Sequence, residues 1–192
     1  MKFFLIAFTL IYFYSCKGQN KYKELNFPQV GWTVDIPKGS QLLSSLQFDS
    51  LQNATQQKIG KDFRLKSNEV LFIMKRDEFN FFGSSITPFD SSNFKNWESS
   101  YSYYKKMFVD LVESEKSIIT LVDTASTIEN IDGILFQRFY IRTKYPKQNI
   151  TRDTYLYYRK QDNIEFSINI SYNDSIIGEQ YLAILRASKF IK

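Results

Sequence analysis

The residue of this sequence with the most specific chemistry is Cys16, because it is the only cysteine among 192 residues. Lys2 provides a basic start, and an uncharged, mostly apolar run from residue 3 to residue 14 follows it. A run of about twelve residues is too short to cross a bilayer of ~30 Å as a helix. It has the length of the apolar part of a secretion signal. The sequence therefore predicts a signal peptide that ends close to Cys16.

The residues around Cys16 resemble the lipobox of bacterial lipoproteins, in which a small residue precedes a cysteine that is acylated and freed by signal peptidase II. Ser15 and Cys16 match this pattern, whereas Phe13 and Tyr14 stand where the family usually has Leu and a small residue. The resemblance implies cleavage between Ser15 and Cys16 and lipidation of Cys16. Two or three acyl chains, at ~0.8 kcal/mol for each buried CH₂, anchor a protein stably. The first expected partner is therefore the lipid bilayer, bound through acylated Cys16.

The residues after Cys16 bear on location and on further partners. Lys17 is not the aspartate that retains lipoproteins in the inner membrane under known sorting rules, so the outer membrane is the expected location. No acidic cluster of the kind found in some surface-exported lipoproteins follows the cysteine, which favours the periplasmic face over the cell surface. Nucleic acid would be an unusual partner there. We expect instead an unidentified protein of the cell envelope.

The sequence contains no histidine, so it lacks the side chain that most readily moves protons near neutral pH. With a single cysteine, disulfides and cysteine metal clusters within the domain are excluded as well. The glycines form no phosphate-binding loop. Paired acids such as Asp77 and Glu78 are expected to be solvated. We therefore expect a protein that is not an enzyme and has no catalytic, cofactor-binding or metal-binding residues.

Basic residues recur on the predicted strands of the second half of the sequence, and the chain has a formal net charge of +5. Those at even positions along one strand could share a face, and two interpretations are open. The cations form a solvated face, or they meet an anionic headgroup or polymer. The residues concerned are Arg138, Arg142, Lys144, Arg152, Arg159 and Lys160.

Hydrophobic periodicity predicts the elements of the first half of the domain. Val30 to Pro37 has strand character, and a helix is expected from about Asp49 to Gly60. Glu69 to Lys75 is apolar at five consecutive positions, which is typical of a strand covered on both faces, and Phe79 to Phe89 can pair with it. A helix from about Ser92 to Glu115 should bury one face. That face consists of Phe94, Trp97, Tyr101, Tyr104, Phe108 and Leu111.

The second half of the domain is predicted to be an antiparallel meander followed by a helix. The turns Asp132-Gly133 and Asp162-Asn163 favour the positive φ that tight hairpins need. The last strand alternates apolar and polar residues and is expected nearer an edge of the sheet. Asn173 or Asp174 would cap the final helix. The four strand segments are Ile118 to Ile128, Ile134 to Lys144, Thr151 to Arg159 and Ile164 to Tyr172.

Several of these features together resemble the PsbP-like superfamily, which includes the photosystem II extrinsic subunit P and DcrB-type bacterial lipoproteins. They are Ile36-Pro37 at the end of the first strand, the long helix with Trp97, the hairpin at Ile131-Asp132-Gly133 and the final Ala187-Ser188-Lys189-Phe190. The resemblance implies an α+β fold of the α/β/α sandwich type. In such a sandwich, a central antiparallel sheet carries helices on both faces.

The expected organisation is a lipoprotein signal peptide at residues 1–15, a lipidated tether at 16–29 and a single PsbP-like domain at 30–192. The resemblance implies a non-catalytic binding or assembly module of the cell envelope, with no residue-level function to carry over. Two alternatives remain open. One is a carrier of an apolar ligand or lipid, which would need a large internal cavity, and the other is a hydrolase that works without histidine.

Overall fold

The structure, a computed structural model, describes residues 22–43 and 69–191. Within this part, two antiparallel sheets and two α-helices form the domain, and a short 3-10 turn at Pro28–Val30 joins the first two strands. The elements are β1 (Tyr22–Phe27), β2 (Trp32–Pro37), β3 (Glu69–Lys75), β4 (Phe81–Pro88), α1 (Trp97–Ser114), β5 (Thr120–Ile131), β6 (Ile134–Tyr145), β7 (Ile150–Gln161), β8 (Ile164–Tyr172), α2 (Ser175–Ala187) and β9 (Lys189–Phe190).

The smaller sheet has the order β1-β2-β9 and joins the two ends of the described chain. β1 runs antiparallel to β2, with Tyr22 opposite Pro37 and Phe27 opposite Trp32. Gly31 closes the turn between them at φ 60°, a backbone conformation that glycine adopts without steric cost. Phe190 of β9 pairs with Trp32 from the other side. Trp32 therefore lies at the centre of this sheet.

The prediction that residues 16–29 form a tether is wrong from Tyr22 onward, where β1 begins. Residues 22–27 form a strand because their backbone pairs with β2 along its whole length. Leu25 and Phe27 also pack against the core. The other four residues of β1 are exposed, so the segment has a polar composition that hides its strand character. The helix expected at residues 49–60 lies outside the described residues.

The larger sheet has the order β3-β4-β8-β7-β6-β5, with every neighbouring pair antiparallel. The predicted meander from β5 to β8 is confirmed. Asp132, Gly133 and Asp162 adopt φ of 51°, 84° and 53° in its turns, as expected. The expectation that β8 lies near an edge is wrong. β4 pairs with its other side, and alternation within one strand cannot reveal a partner that lies about eighty residues away.

The two sheets pack face to face through aromatic side chains. Trp32 is fully buried, and its ring centroid lies 5.3 Å from that of Phe166 and 6.2 Å from that of Phe190. Phe82 and Phe136 are also fully buried in this core. Burying one large apolar side chain stabilises a fold by about 1.5–3 kcal/mol. The inter-sheet core is therefore a major source of the stability of this disulfide-free domain.

α1 packs on the side of the larger sheet that faces away from this core. Tyr101 of α1 is buried with Phe139 and Leu156, and Leu156 points away from its neighbour Tyr157, which belongs to the inter-sheet core. The predicted burial of the whole aromatic face of α1 is wrong except at Tyr101, since its other members are only half-buried. Among the described residues, α1 is covered by the sheet from one side only.

The predicted α+β class is confirmed. The finer α/β/α layering stays a prediction. On one side of the larger sheet, α2 shares its layer with the three-stranded sheet, so this layer does not consist of helices alone.

α2 begins as expected: the Asp174 carboxylate accepts a hydrogen bond of 2.9 Å from the Ile176 amide and caps the helix. The buried Asn80 connects this start to the β3–β4 turn, because its Nδ2 donates to Asp77 Oδ1 (2.9 Å) and to Asn173 Oδ1 (2.6 Å).

Glu129 on β5 binds the end of α2 to the larger sheet. Its Oε1 accepts a hydrogen bond of 3.0 Å from Arg186 Nε, and its Oε2 accepts one of 2.7 Å from Arg138 Nη1. The Tyr157 hydroxyl donates a third, at 3.2 Å. Burial raises the pKa of Glu129, but the hydrogen bonds and charges of Arg186 and Arg138 outweigh it, so the pKa is lowered overall.

We expect Gly178→Ala to destabilise the protein. A Cβ at this position of α2 would lie 2.5 Å from the ring of Tyr172, which is itself buried. Alanine favours a helix over glycine by about 1 kcal/mol, but overpacking costs about 1–3 kcal/mol, so the net free energy of unfolding should fall. Urea unfolding measures it, with Ala183→Gly on the exposed side of α2 as a control for helix propensity. A more stable Gly178→Ala protein would contradict the close packing of Tyr172.

We expect Glu129→Gln to lower the free energy of unfolding at pH 7 by about 1.5–3 kcal/mol, the usual contribution of a hydrogen bond to a charged group. A carboxylate with a lowered pKa stabilises the fold above its unfolded value of 4.5 and loses this effect as pH falls through its folded value. The difference between variant and wild type should therefore shrink below pH 4.5. Urea unfolding at several pH values tests this, with the exposed Glu113→Gln as the control. An unchanged difference at low pH would refute it.

Candidate functional site

The predicted lipidation residue Cys16 and the predicted cleavage residue Ser15 lie outside the described residues. The structure nevertheless shows where a chain from Cys16 must enter the domain, because β1 begins at Tyr22. Six residue steps span at most roughly 20 Å when fully extended. The point on Cys16 at which a lipid would be attached thus lies at most roughly 20 Å from the start of β1. No helix in the described part of the chain is both long and apolar enough to span a membrane.

The acidic pair singled out in the sequence stabilises a turn. The Asp77 carboxylate accepts hydrogen bonds from the Phe79 amide at 2.8 Å and from the Asn80 amide at 2.9 Å. Burial raises the pKa of Asp77, but these bonds, that of the Asn80 side chain and the charge of Arg76 lower it overall. Within residues 22–43 and 69–191, no cluster of three acidic, histidine or cysteine side chains could hold a metal ion.

The six basic residues of the strands do not all share one face. In the β6–β7 register, Arg138 lies opposite Tyr157, and Arg152 lies opposite Thr143. Because positions 138 and 143 differ by an odd number, these two guanidinium groups are on opposite sides of the sheet. The even-numbered cations of β6 do share one face, as expected, but the six together form neither a single solvated face nor a single anion-binding face.

Several of these cations are bound within the domain. Arg142 donates two hydrogen bonds to Asp153, at 2.7 Å and 3.0 Å. Burial raises the pKa of Asp153, but the bonds from Arg142 and Tyr140 lower it overall. Arg152 stacks 5.3 Å from the ring centroid of Tyr145, and burial lowers its pKa. Among the described residues, Arg142 is thus paired with a carboxylate, whereas Arg152 has no salt bridge and its buried Nε has no hydrogen-bond partner.

A buried polar cluster under α1 was not predicted from the sequence. Ser100 Oγ donates a hydrogen bond to Glu165 Oε1, and both side chains are buried. Burial, followed by the neighbouring charge of Glu165, raises the pKa of Tyr104 to about 12. Burial also raises the pKa of Tyr158 beside it. Because Ser100 is fully buried, its hydroxyl joins α1 to β8 and is not presented to a substrate.

The long edge strand β5 is the first exposed candidate surface. Its twelve residues pair with β6 on one side, and no described element pairs with the other side. Nine of the twelve residues are exposed, including Val122 at a bulge and Ile128. Ile128 lies diagonally across from the exposed Leu135 on β6. The opposite edge is different, because residues 41–43 bond to β3 through Leu43 N and Lys75 N.

The second candidate surface is a groove of about 390 Å³ at the β3 edge. Its floor is apolar and is formed by Met74 together with Ile177, Tyr181 and Ile184 of α2. Its rim carries three basic residues, which were not among those singled out in the sequence. The signal that could have found two of them is the pair of cations directly after the apolar residues of β3. The rim residues are Lys38, Lys75 and Arg76.

Comparison with known proteins places the fold. No protein-family profile matches the chain, and no curated protein matches it. The structure is similar to the solution structure of cyanobacterial PsbP (CyanoP) from Synechocystis sp. PCC 6803, with a TM-score of 0.57 over 92% of this chain and 98% of that chain. The sequence identity is 10%, so the likeness concerns the fold and not residue-level function. The chain has a PsbP-like fold.

Proposed function

We propose that this protein is a non-catalytic, lipid-anchored module of the outer membrane that binds another envelope protein along the open edge of β5. The observation that carries the binding role is that no described strand pairs with this edge along its twelve residues, nine of which are exposed. Soluble proteins usually cover or shorten such edges, because unpaired backbone groups invite pairing with another chain.

The chemistry of β5 fits the addition of a strand from a partner. Main-chain hydrogen bonds supply affinity in this type of recognition, and alternate side chains supply specificity. β5 has only two charged side chains, Asp123 and Glu129, and Glu129 is already bound to Arg138 and Arg186. The exposed apolar side chains Val122 and Ile128 offer contacts to a neighbouring strand.

The buried position of Ser100 and the structural use of Asp77 support a role without catalysis. The carrier alternative receives less support. It needs a large apolar cavity, whereas rings such as Trp32, Phe136 and Phe166 fill the space between the two sheets. Contact with the membrane is instead assigned to acylated Cys16, because only a short segment separates this residue from β1.

We expect Cys16→Ala to abolish anchoring without unfolding the domain, since residue 16 precedes the first strand of the described residues. The intact mass of the protein from its host should equal that of a chain beginning at Cys16 plus its acyl chains. The protein should also fractionate with outer membranes. The variant should leave the membrane fraction. Ser15→Ala, which keeps a small residue before Cys16, is the matched control and should be processed normally. An unmodified mass for the wild type would refute the anchor.

We expect a photo-crosslinking side chain at Val122 or Ile128 to give one adduct of the same mass in the native host. Controls at Tyr103 and Ile176, which have comparable exposure away from β5, should not give it. A lysine at an edge position disfavours strand addition, so Ala125→Lys should reduce the adduct, whereas Ser102→Lys on α1 should not. Equal adducts at all four sites would refute edge binding. An adduct of twice the mass of the protein would show self-association instead of a separate partner.

A further inference from the structure

The groove at the β3 edge lies beside the point at which a chain from Cys16 enters the domain. Tyr22, the first residue of β1, pairs with Pro37 at the end of β2. Pro37 and Lys38 form part of the groove rim. Because at most roughly 20 Å of chain connects Cys16 to Tyr22, a membrane that holds the lipid would lie within reach of this rim.

The rim carries an excess of positive charge. Within the described residues, no carboxylate forms a salt bridge with Lys38, Lys75 or Arg76. The acid nearest to Arg76 in the chain is Asp77, whose oxygens already accept hydrogen bonds from the β3–β4 turn. Within this part of the chain, the three cations therefore keep charge that an external anion can neutralise, unlike Arg138 and Arg142 on the strands.

The floor of the groove suits the part of a lipid that follows its phosphate. Met74 and Ile177 are buried beneath the rim, and Ile184 is half-buried beside them. Burial raises the pKa of Tyr181, so its hydroxyl stays protonated and can donate a hydrogen bond. A volume of about 390 Å³ is within the range of small-molecule sites. Cations above an apolar floor match a phosphate followed by glycerol and the first carbons of the acyl chains.

We propose that the groove between Lys38, Lys75, Arg76 and α2 binds the headgroup of an anionic phospholipid in the membrane to which Cys16 anchors the protein. This inference rests on the proposed anchoring. It also orients the domain, because β3 and β5 are the two edges of the larger sheet. Five strand spacings of about 4.8 Å separate them. Membrane contact at the groove thus leaves the β5 edge free for a partner protein.

The test uses full-length protein from its host, carrying Gln180→Cys, in nanodiscs of phosphatidylcholine with or without phosphatidylglycerol. Gln180 is an exposed residue of the groove, and its thiol should be the only reactive one if Cys16 is acylated. Maleimide labelling should be slower with phosphatidylglycerol. Each of Lys38→Gln, Lys75→Gln and Arg76→Gln should reduce this protection about fivefold, the effect of one cation near an anionic surface.

Lys144→Gln on β6 is the matched control and should leave the protection unchanged. A second thiol position, Ser102→Cys on α1, should label equally in both kinds of nanodisc. Equal labelling of Gln180→Cys with and without phosphatidylglycerol, in protein that stays in the discs, would overturn the groove proposal and leave anchoring intact. Labelling of Cys16 itself and loss from the discs would overturn both proposals. Protection by inorganic phosphate in phosphatidylcholine discs would identify a free anion as the ligand and overturn the lipid assignment.

Discussion

The contact between Trp32 and the larger sheet is the interaction on which the rest of the structure depends. Its ring is fully buried against Phe166, and Phe72 and Phe190 pack around it. Without a disulfide, the two ends of the described chain are held by packing and by backbone hydrogen bonds, since β1 and β9 both pair with the strand that carries Trp32. Close packing of this kind tolerates little change of volume. The same rings fill the interior, so the surfaces available for binding are external.

This packing determines where those surfaces lie. It fixes the smaller sheet over the larger one, and Tyr22 is thereby held beside the groove at the β3 edge. α2 crosses from this groove to Glu129 on β5, where Arg186 binds the carboxylate. The two edges of the larger sheet are therefore held by one helix but have different chemistry. The β3 edge is cationic and partly covered, whereas the β5 edge is open and mostly uncharged.

The charged side chains follow a similar division. Among the described residues, two of the six cations on the strands of the meander are paired, as in Arg142 with Asp153, and such half-buried pairs contribute to register and stability rather than to ligand binding. In a chain without histidine, carboxylates such as Asp77 and Glu165 are the natural candidates for catalysis. Here Asp77 is hydrogen-bonded to Asn80, and Glu165 is hydrogen-bonded to Ser100. The groove cations lie at the ends of β2 and β3, where no neighbouring strand supplies a carboxylate to them among the described residues.

The sequence by itself determined the meander, its turns at Asp132 and Asp162, the cap at Asp174 and the PsbP-like α+β class, because these depend on local periodicity and turn chemistry. It also determined the absence of histidine chemistry. Only the tertiary structure decided that β8 is internal, that residues 22–27 form a strand, that the six meander cations are split between two faces and that three other cations meet at a groove. The physical reason is that each of these depends on which segments pair and in which register, and this leaves no periodic signal in either segment alone.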